Sequence, residues 1–283
     1  MSRRTIRRFP LLALVLLGTA CASSRVAPQA AEPAATIVPA SEVEWEQLNP
    51  ARGDQSPKAA ALWGERKGPG PSGFLVRFVD GFSSPPHIHN VSYRGIVIEG
   101  LIHNDDPNAE AMWMPEGSFW TQPKGGVHIT AARGTAATAY IEIEEGPYLV
   151  RSVEEAFQSE ARPVNVDASN LVWVNASEFA ESAPIDASAA ADGAKIAFLW
   201  GNPQDEGPSG ILVKLRAGSA CVMRSRGSTF RAVVIQGSPA HQAVGGSDLM
   251  IMGPGSYIGA NGASAQVSCE SARDCIFYVR MEG

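Results

Sequence analysis

Residues 62–76 read LWGERKGPGPSGFLV, and residues 199–213 read LWGNPQDEGPSGILV. The offset of 137 residues continues without a gap to Gly100 and Gly237, and 14 of the 39 aligned positions are identical. Self-similarity at a fixed offset is the mark of a duplicated structural unit. The sequence therefore predicts two copies of one module rather than a single large domain.

Each copy has the composition of a β protein. In the first copy, residues 74–79 and 93–98 combine apolar, β-branched and aromatic side chains and are bounded by Gly, Pro and Asn. The chain has 28 Gly and 20 Pro, enough to punctuate many turns, and 45% hydrophobic residues, enough to build a core. We expect an all-β fold with one sandwich or barrel per copy. Residues 152–160 are the one helix-like segment of note.

The charge balance argues against nucleic acid as a partner. Lys and Arg total 23 against 29 Asp and Glu, and four of the basic residues lie in the first eight positions. No basic stripe remains in the rest of the chain to contact a phosphate backbone.

The first twenty residues have the pattern of an export signal. A basic start is followed by an apolar run, residues 9–17, that is too short to span a bilayer as a helix. Residues 17–21, LGTAC, resemble a bacterial lipobox, which implies lipidation of Cys21 and a lipoprotein on the periplasmic face of the outer membrane. The alternative is cleavage after Ala20, which leaves Cys21 as a thiol. Residues 2–6 also resemble a twin-arginine signal, so the export route stays open.

The segment after the leader and the remaining cysteines fit this location. Residues 21–40 are rich in Ala, Pro and Ser without periodicity, which predicts a disordered tether between the lipid and the first domain. The lipid is then the only membrane contact. Cys269 and Cys275 flank a polar turn, so we expect a disulfide, as is usual in an oxidising compartment.

Two histidines that are two residues apart can chelate one ion, because alternate side chains of a strand face the same side. His87 and His89 follow Gly81 after five residues, and His128 follows the sequence Pro-Lys-Gly of residues 123–125 after two more. These two segments resemble the paired motifs of the cupin superfamily. The resemblance implies two tandem jelly-roll barrels, also called double-stranded β-helices, over residues 41–160 and 161–283.

The cupin resemblance also implies a metal centre in the first barrel. It makes His87, His89 and His128 the ligands, and Tyr93 stands where the family usually has a glutamate. Three neutral nitrogen ligands suit a borderline divalent ion such as Fe, Mn, Zn or Ni. Such a site resembles that of the ferrous thiol and diketone dioxygenases. The two-barrel chain resembles bacterial bicupins related to the metal-binding cupin of ChrR-type anti-sigma factors.

Four further residues are candidates for the site. Tyr93 can donate a proton to a bound oxygen or simply pack. Counting by twos along its strand puts Glu99 on the same face, as a replacement for the missing carboxylate. Trp120 becomes Ile258 in the second copy, which favours a pocket over a core role. His103 lies near the end of the strand, where it is either solvated or lines the entrance to the substrate pocket.

The second copy serves as an internal control. Arg224 and Arg226 replace the histidine pair, and Phe230 replaces Tyr93. An arginine does not bind a cation, so we expect no metal in this barrel. Its role is either structural or the binding of an anion.

Three functions are compatible with the sequence. The first is a metal-dependent oxidoreductase of the dioxygenase type, acting on a small molecule. The second is a non-catalytic module that binds a metal or small ligand, and the third is a structural, homodimer-forming lipoprotein. The histidines alone do not separate them, since a barrel that has lost its metal can keep them as hydrogen-bonded polar residues.

Overall fold

Glycines mark the turns of both copies at equivalent places. In each copy the matched glycines have positive φ. This backbone conformation is energetically unfavourable for any residue that has a Cβ atom. The pairs are Gly64 and Gly201, Gly81 and Gly218, Gly100 and Gly237, and Gly117 and Gly255. Between these turns, short apolar runs form strands, and the all-β fold is confirmed.

The structure is a computed structural model that describes residues 35–179, 193–203, 205, 207–224, 229–242, 249–261 and 264–282. The predicted signal peptide, the predicted lipidation site Cys21, most of the tether and Arg226 lie outside the described residues. Within the described ranges, no helix is both long and apolar enough to cross a membrane.

The strands before residue 180 are β1 (Thr36–Val38), β2 (Glu46–Gln47), β3 (Lys58–Trp63), β4 (Ser72–Arg77), β5 (Ile88–His89), β6 (Tyr93–Asp105), β7 (Phe119–Gln122), β8 (Ile129–Ile143), β9 (Val150–Arg151), β10 (Val164–Val166) and β11 (Val174–Asn175). Those after residue 192 are β12 (Lys195–Trp200), β13 (Ser209–Leu215), β14 (Ala220–Arg224), β15 (Thr229–Gln236), β16 (Pro239–Gln242), β17 (Leu249–Ile251), β18 (Tyr257–Asn261), β19 (Ser264–Cys269) and β20 (Cys275–Met281). Short 3-10 helices lie at Pro50–Gln55, Val153–Glu155, Ala168–Asn170 and Ala176–Phe179.

Two seven-stranded antiparallel sheets have matching strand orders. The first is β10-β7-β6-β8-β4-β3-β2, and the second is β1-β18-β15-β20-β13-β12-β11. A small β5-β9 sheet completes the first barrel, and a β14-β19-β16-β17 sheet faces the second large sheet. The expected 152–160 helix is absent, since only Val153–Glu155 forms a 3-10 turn. Cys269 and Cys275 form a disulfide.

Each copy contributes its first strand to the sheet of the other copy. Strand β1 pairs with β18, with Thr36 opposite Gly259, and β10 pairs with β7, with Val164 opposite Thr121. β1 falls within the predicted tether and β10 within the range predicted for the second barrel. The exchange therefore crosses both predicted boundaries.

Three apolar cores hold the molecule together. One fills the first barrel around Val97 and Trp120, and a second fills the second barrel around Phe230 and Ile258. The third lies between the two large sheets and takes buried side chains from both copies, including Ile96. Alternation along β6 explains this division, because Val97 faces into the barrel while Ile96 and Ile98 face the other copy.

Candidate metal centre

Backbone pairing brings the three histidines of the first barrel together. His87 and His128 lie opposite each other and exchange two backbone hydrogen bonds, of 3.1 and 3.0 Å. His89 lies on β5, whose partner β9 closes that side of the barrel. All three side chains are buried, and their ligand nitrogens lie within 4.8 Å of one another.

The same tautomer is imposed on all three rings. The Nδ1 atoms lie 2.9–3.0 Å from backbone carbonyl oxygens, those of Pro85 for His87, Leu149 for His89 and Gly126 for His128. A carbonyl only accepts, so each Nδ1 carries the proton and each Nε2 keeps its lone pair. This is the arrangement in which histidines bind metals, with the second nitrogen oriented by an outer partner.

Burial keeps the three imidazoles neutral. It lowers the pKa of His87, and that of His89 well below its usual range. It lowers the pKa of His128 to about 3. At neutral pH all three Nε2 atoms are therefore unprotonated and able to bind a cation.

A chain of amides fixes the direction of the Tyr93 hydroxyl. Gln122 Nε2 donates to the carbonyl of Gly126 at 3.1 Å, so Gln122 Oε1 accepts from Asn104 Nδ2 at 3.1 Å. Asn104 Oδ1 is then left to accept from the hydroxyls of Tyr93 and Thr130, both at 2.8 Å. Tyr93 Oη lies 3.3 Å from Nε2 of His128. With its proton held by Asn104, it presents a lone pair to the centre.

Tyr148 is a second hydroxyl at the centre, and the sequence did not reveal it. Its Oη lies 3.1 Å from Nε2 of His89, and the two rings stack with centroids 4.2 Å apart. Burial raises the pKa of both Tyr148 and Tyr93, so the hydroxyls stay protonated. No local pattern marks Tyr148, because it reaches the site from the loop after β8.

A cavity of about 310 Å³ opens beside the histidine cluster, with His87 and His89 in its lining. Trp120 lines it, and its buried Nε1 has no hydrogen-bond partner among the described residues. Much of the remaining wall is apolar, formed by side chains such as Val76, Phe78 and Phe82. The cavity is thus suited to a small molecule with an apolar body.

Two predicted site residues lie elsewhere. Glu99 is exposed, and the prediction that it replaces the missing carboxylate is wrong. Register shifts on either side of Glu99 break the alternation that Tyr93 and Val97 follow. His103 is buried but does not line the cavity, contrary to the prediction. It faces away from the neighbouring Asn104, with Nδ1 3.3 Å from the carbonyl oxygen of Met112.

Two described positions of the second barrel are apolar where the first barrel has polar or aromatic residues at its centre. Phe230 occupies the position of Tyr93 and Ile258 that of Trp120, and both are fully buried among other apolar side chains. Within the described ranges, the His87, His89 and His128 cluster is the one group of His, Cys, Asp or Glu side chains suited to a metal ion. The side chain of Arg224 is not described.

Structural comparison identifies cupin-fold proteins as neighbours, which confirms the predicted fold. A Nostoc punctiforme protein described as a candidate dioxygenase is 15% identical with a TM-score of 0.61, covering 87% of this chain and 81% of that one. A 7S globulin from Momordica charantia is 8% identical with a TM-score of 0.56, covering 87% and 84%. A Lactobacillus farciminis oxalate decarboxylase is 10% identical with a TM-score of 0.54, covering 87% and 86%.

Sequence comparison is less informative about activity. A family profile described as a domain of unknown function, DUF4437, matches residues 36–283. No curated protein matches the sequence.

Proposed function

The chain belongs to the DUF4437 family, and because that family carries no assigned activity, we propose a function from the site: the first barrel binds a divalent metal ion that serves a small organic ligand. The observation that carries this proposal is the shared tautomer of His87, His89 and His128. A set of buried polar residues without a metal role does not require three Nε2 lone pairs directed at one another.

The donor set limits the choice of ion. Three imidazole nitrogens and no carboxylate favour Fe, Mn, Zn or Ni over Mg or Ca, which prefer oxygen ligands. When bound, such an ion supplies Lewis-acid or redox chemistry to a ligand in the cavity. The apolar part of the wall, which includes Val76, Phe78 and Phe82, offers no side-chain hydrogen bonds to water. His89 would hold the ion through Nε2, and the Tyr148 hydroxyl, 3.1 Å from that nitrogen, would then be free to donate to a ligand. Tyr93, whose proton is directed to Asn104, would offer a lone pair.

An oxidoreductase of the dioxygenase type is the form of this function that we favour. The three-histidine site resembles those of cupin dioxygenases, and one structural neighbour is described as a candidate dioxygenase. The cavity also offers no Asp or Glu among its described lining residues, so a reaction that needs a carboxylate base fits less well. The same absence supports the alternative, a non-catalytic module that captures a metal or small ligand.

Metal analysis of the purified protein tests the proposal. We expect about one equivalent of Fe, Mn, Zn or Ni per chain, and less than about a tenth of an equivalent after incubation with each ion would reject it. If metal is bound, oxygen uptake with a panel of small thiols, diketones and carboxylates separates the enzyme from the binding module. Uptake that requires both metal and substrate supports the enzyme.

We also propose that the protein is exported and held at the outer membrane by a lipid on Cys21. The basic and apolar leader supports export, and the disulfide between Cys269 and Cys275 supports an oxidising compartment. We expect Cys21→Ser to release the protein from the membrane fraction, whereas Cys221→Ser should leave its location unchanged. Membrane association of the Cys21→Ser protein would contradict the lipid anchor.

A further inference from the structure

Among the described residues that line the metal cavity, Arg52 is the one with a permanent charge. No Asp, Glu or Lys is among them. Arg52 is half-buried, and its guanidinium carbon lies 5.4 Å from the ring centroid of Phe82, which also lines the cavity. The position places a full positive charge beside an apolar wall.

The Arg52 guanidinium has no hydrogen bond or ion pair with any described residue. Other arginines of the chain that approach the interior are paired, as Arg66 is with Glu46 and Arg280 is with Glu142. A guanidinium has five donors in a planar fork that matches a carboxylate. Those donors are available to a ligand in the cavity.

The segment that carries Arg52 is fixed by its own hydrogen bonds. Asn49 Oδ1 caps the 3-10 helix Pro50–Gln55 by accepting from the backbone N–H of Ala51 at 3.1 Å. Ser56 Oγ accepts from the backbone N–H of Asn49 at 2.9 Å, which closes the loop at its base. A loop that is held in this way loses little further entropy when its arginine binds a ligand.

The charge of the occupied site requires a negative partner. A divalent ion and a guanidinium would share one largely apolar cavity whose described lining residues include no carboxylate. Positive charge in an apolar environment is costly unless an anion is paired with it. An anionic ligand would provide that pairing without any change in the protein.

The exposure of the lining residues distinguishes a deep end of the cavity from an outer end. Trp120 and His89 are 1% and 3% exposed at the deep end, whereas Val150, which also lines the cavity, is 67% exposed. Arg52, being half-buried, belongs to the outer end. A ligand that reaches both ends meets the metal with one donor group and Arg52 with another, and its body lies against Phe78 and Phe82.

We propose that Arg52 anchors the carboxylate of a small molecule with an apolar body, which makes amphipathic monocarboxylates the substrate class of this site. The inference rests on the proposed function, because it assigns the substrate of the same metal centre.

Titration calorimetry with matched ligands tests this assignment. The full-length protein, loaded with redox-inert Zn²⁺, is titrated with hexanoate and 3-phenylpropanoate and with the primary amide of each acid. We expect both acids to bind more tightly than their amides. Arg52→Gln should weaken the acids by at least about tenfold, or ~1.4 kcal/mol, and change the amides by less than about twofold. Arg52→Lys should fall between, since it keeps the charge and loses the fork.

Arg133→Gln is the matched control. Arg133 also lies over an aromatic ring, 3.8 Å from the centroid of Trp113, but it does not line the cavity. This variant should bind both acids like the parent protein. Zinc content is measured in every sample and should be the same in all of them.

The outcomes separate the two proposals. Equal binding of the acids by the parent and Arg52→Gln proteins overturns the role of Arg52, and acids that bind no better than amides overturn the substrate class. Either result with a full zinc content leaves the metal site standing. If the parent protein takes up no metal ion, the proposed function fails. The acid preference of the metal-free protein, and its dependence on Arg52, then decide this inference alone.

Discussion

Gly95 and Trp120 form a pair in which one residue makes room for the other. A Cβ on Gly95 would lie 2.1 Å from Cζ2 of Trp120, so no side chain fits there while the indole keeps its place. The second copy has Ala232 and Ile258 at these two positions, and both are fully buried. The duplication therefore records two packing solutions for one site, and in the first copy Trp120 lines the cavity.

We predict that Gly95→Ala lowers the free energy of unfolding by about 1–3 kcal/mol, because it forces Trp120 out of its position. In the Gly95→Ala, Trp120→Ile double variant the clash is absent, so a double-mutant cycle in urea should give a coupling energy of at least about 1 kcal/mol. Gly70→Ala is the control, since a Cβ at Gly70 meets nothing within 4 Å. Additive effects of the two substitutions would contradict the pairing.

A second prediction compares two buried histidines. His89→Ala removes a proposed ligand and should reduce metal affinity by more than the roughly 10- to 100-fold that loss of an outer partner costs. His103→Ala should keep the metal content of the parent, because His103 is equally buried but contacts Met112 and Trp113 instead. Metal per chain is measured after dialysis against the same buffered ion. Equal loss in both variants would show that the effect is structural.

At the residue scale, the sequence predicts site residues that lie within a motif and misses residues that reach the site from distant parts of the chain. The histidine spacing and the Trp120 to Ile258 difference indicated residues that line the cavity. Tyr148 and Arg52 could not be predicted, because each reaches the cavity from a loop with no local signature. Glu99 was misplaced because a bulge cannot be read from alternation.

At the scale of elements, strands β8 and β20 meet through a buried ion pair between the two copies. Arg280 and Glu142 are 2% and 1% exposed, and Arg280 Nη1 donates to Glu142 Oε1 at 2.8 Å. Tyr140 and Tyr278 also donate to Glu142, at 2.9 and 3.1 Å. Nearly all of the hydrogen-bonding capacity of the carboxylate is thus used inside the protein.

We predict that Arg280→Met destabilises the protein by about 3–5 kcal/mol, because buried Glu142 loses the guanidinium that donates to it and keeps only Arg94, 3.8 Å away, as a counter-charge. The Glu142→Gln, Arg280→Met double variant should cost less than Arg280→Met alone, since no unpaired charge remains. Arg151→Met removes an exposed ion pair with Glu155 and should cost less than about 1 kcal/mol. Guanidinium unfolding curves measure all three. A double variant less stable than Arg280→Met would contradict this account.

Elements were predicted where their pattern is local and missed where pairing is distant. The repeat and its glycines indicated strands in both copies at equivalent positions. Strands β1 and β10 have only three residues each and gain their structure from partners far along the chain, so their sequence carries little signal. Residues 152–160 are almost all exposed, so no buried apolar face stabilises a helix of that length.

At the scale of the whole molecule, the exchanged strands and the shared core make each barrel depend on the other. β1 completes the second sheet, β10 completes the first, and the core between the sheets contains side chains from both copies. The described residues accordingly belong to one compact unit, Glu32–Gly283. We expect the two barrels to unfold together.

Calorimetry should therefore show one cooperative transition, with a calorimetric enthalpy equal to the van't Hoff enthalpy. The proposed metal ion would bind only the folded first barrel, so saturating ion should raise the single midpoint, by an amount that reflects about 2.7 kcal/mol at one hundred times its dissociation constant. The His89→Ala protein should not respond to the ion. Two separate transitions, of which metal shifts only one, would refute the coupling.

The Glu142–Arg280 pair also bears on symmetry. The two copies contribute equivalent strands, β8 and β20, to a contact that a dimer of identical chains would build around a two-fold axis. Glu142 and Arg280 occupy equivalent positions in these strands. In a dimer of identical chains the residue at this position would face its own copy, as two buried carboxylates or two guanidiniums, and the like charges would oppose association. Joining the copies in one chain lets the two positions carry opposite charges. The fusion thus makes the contact between the barrels directional, and it lets the first half keep a histidine cluster while the second has Phe230 and Ile258 in place of Tyr93 and Trp120.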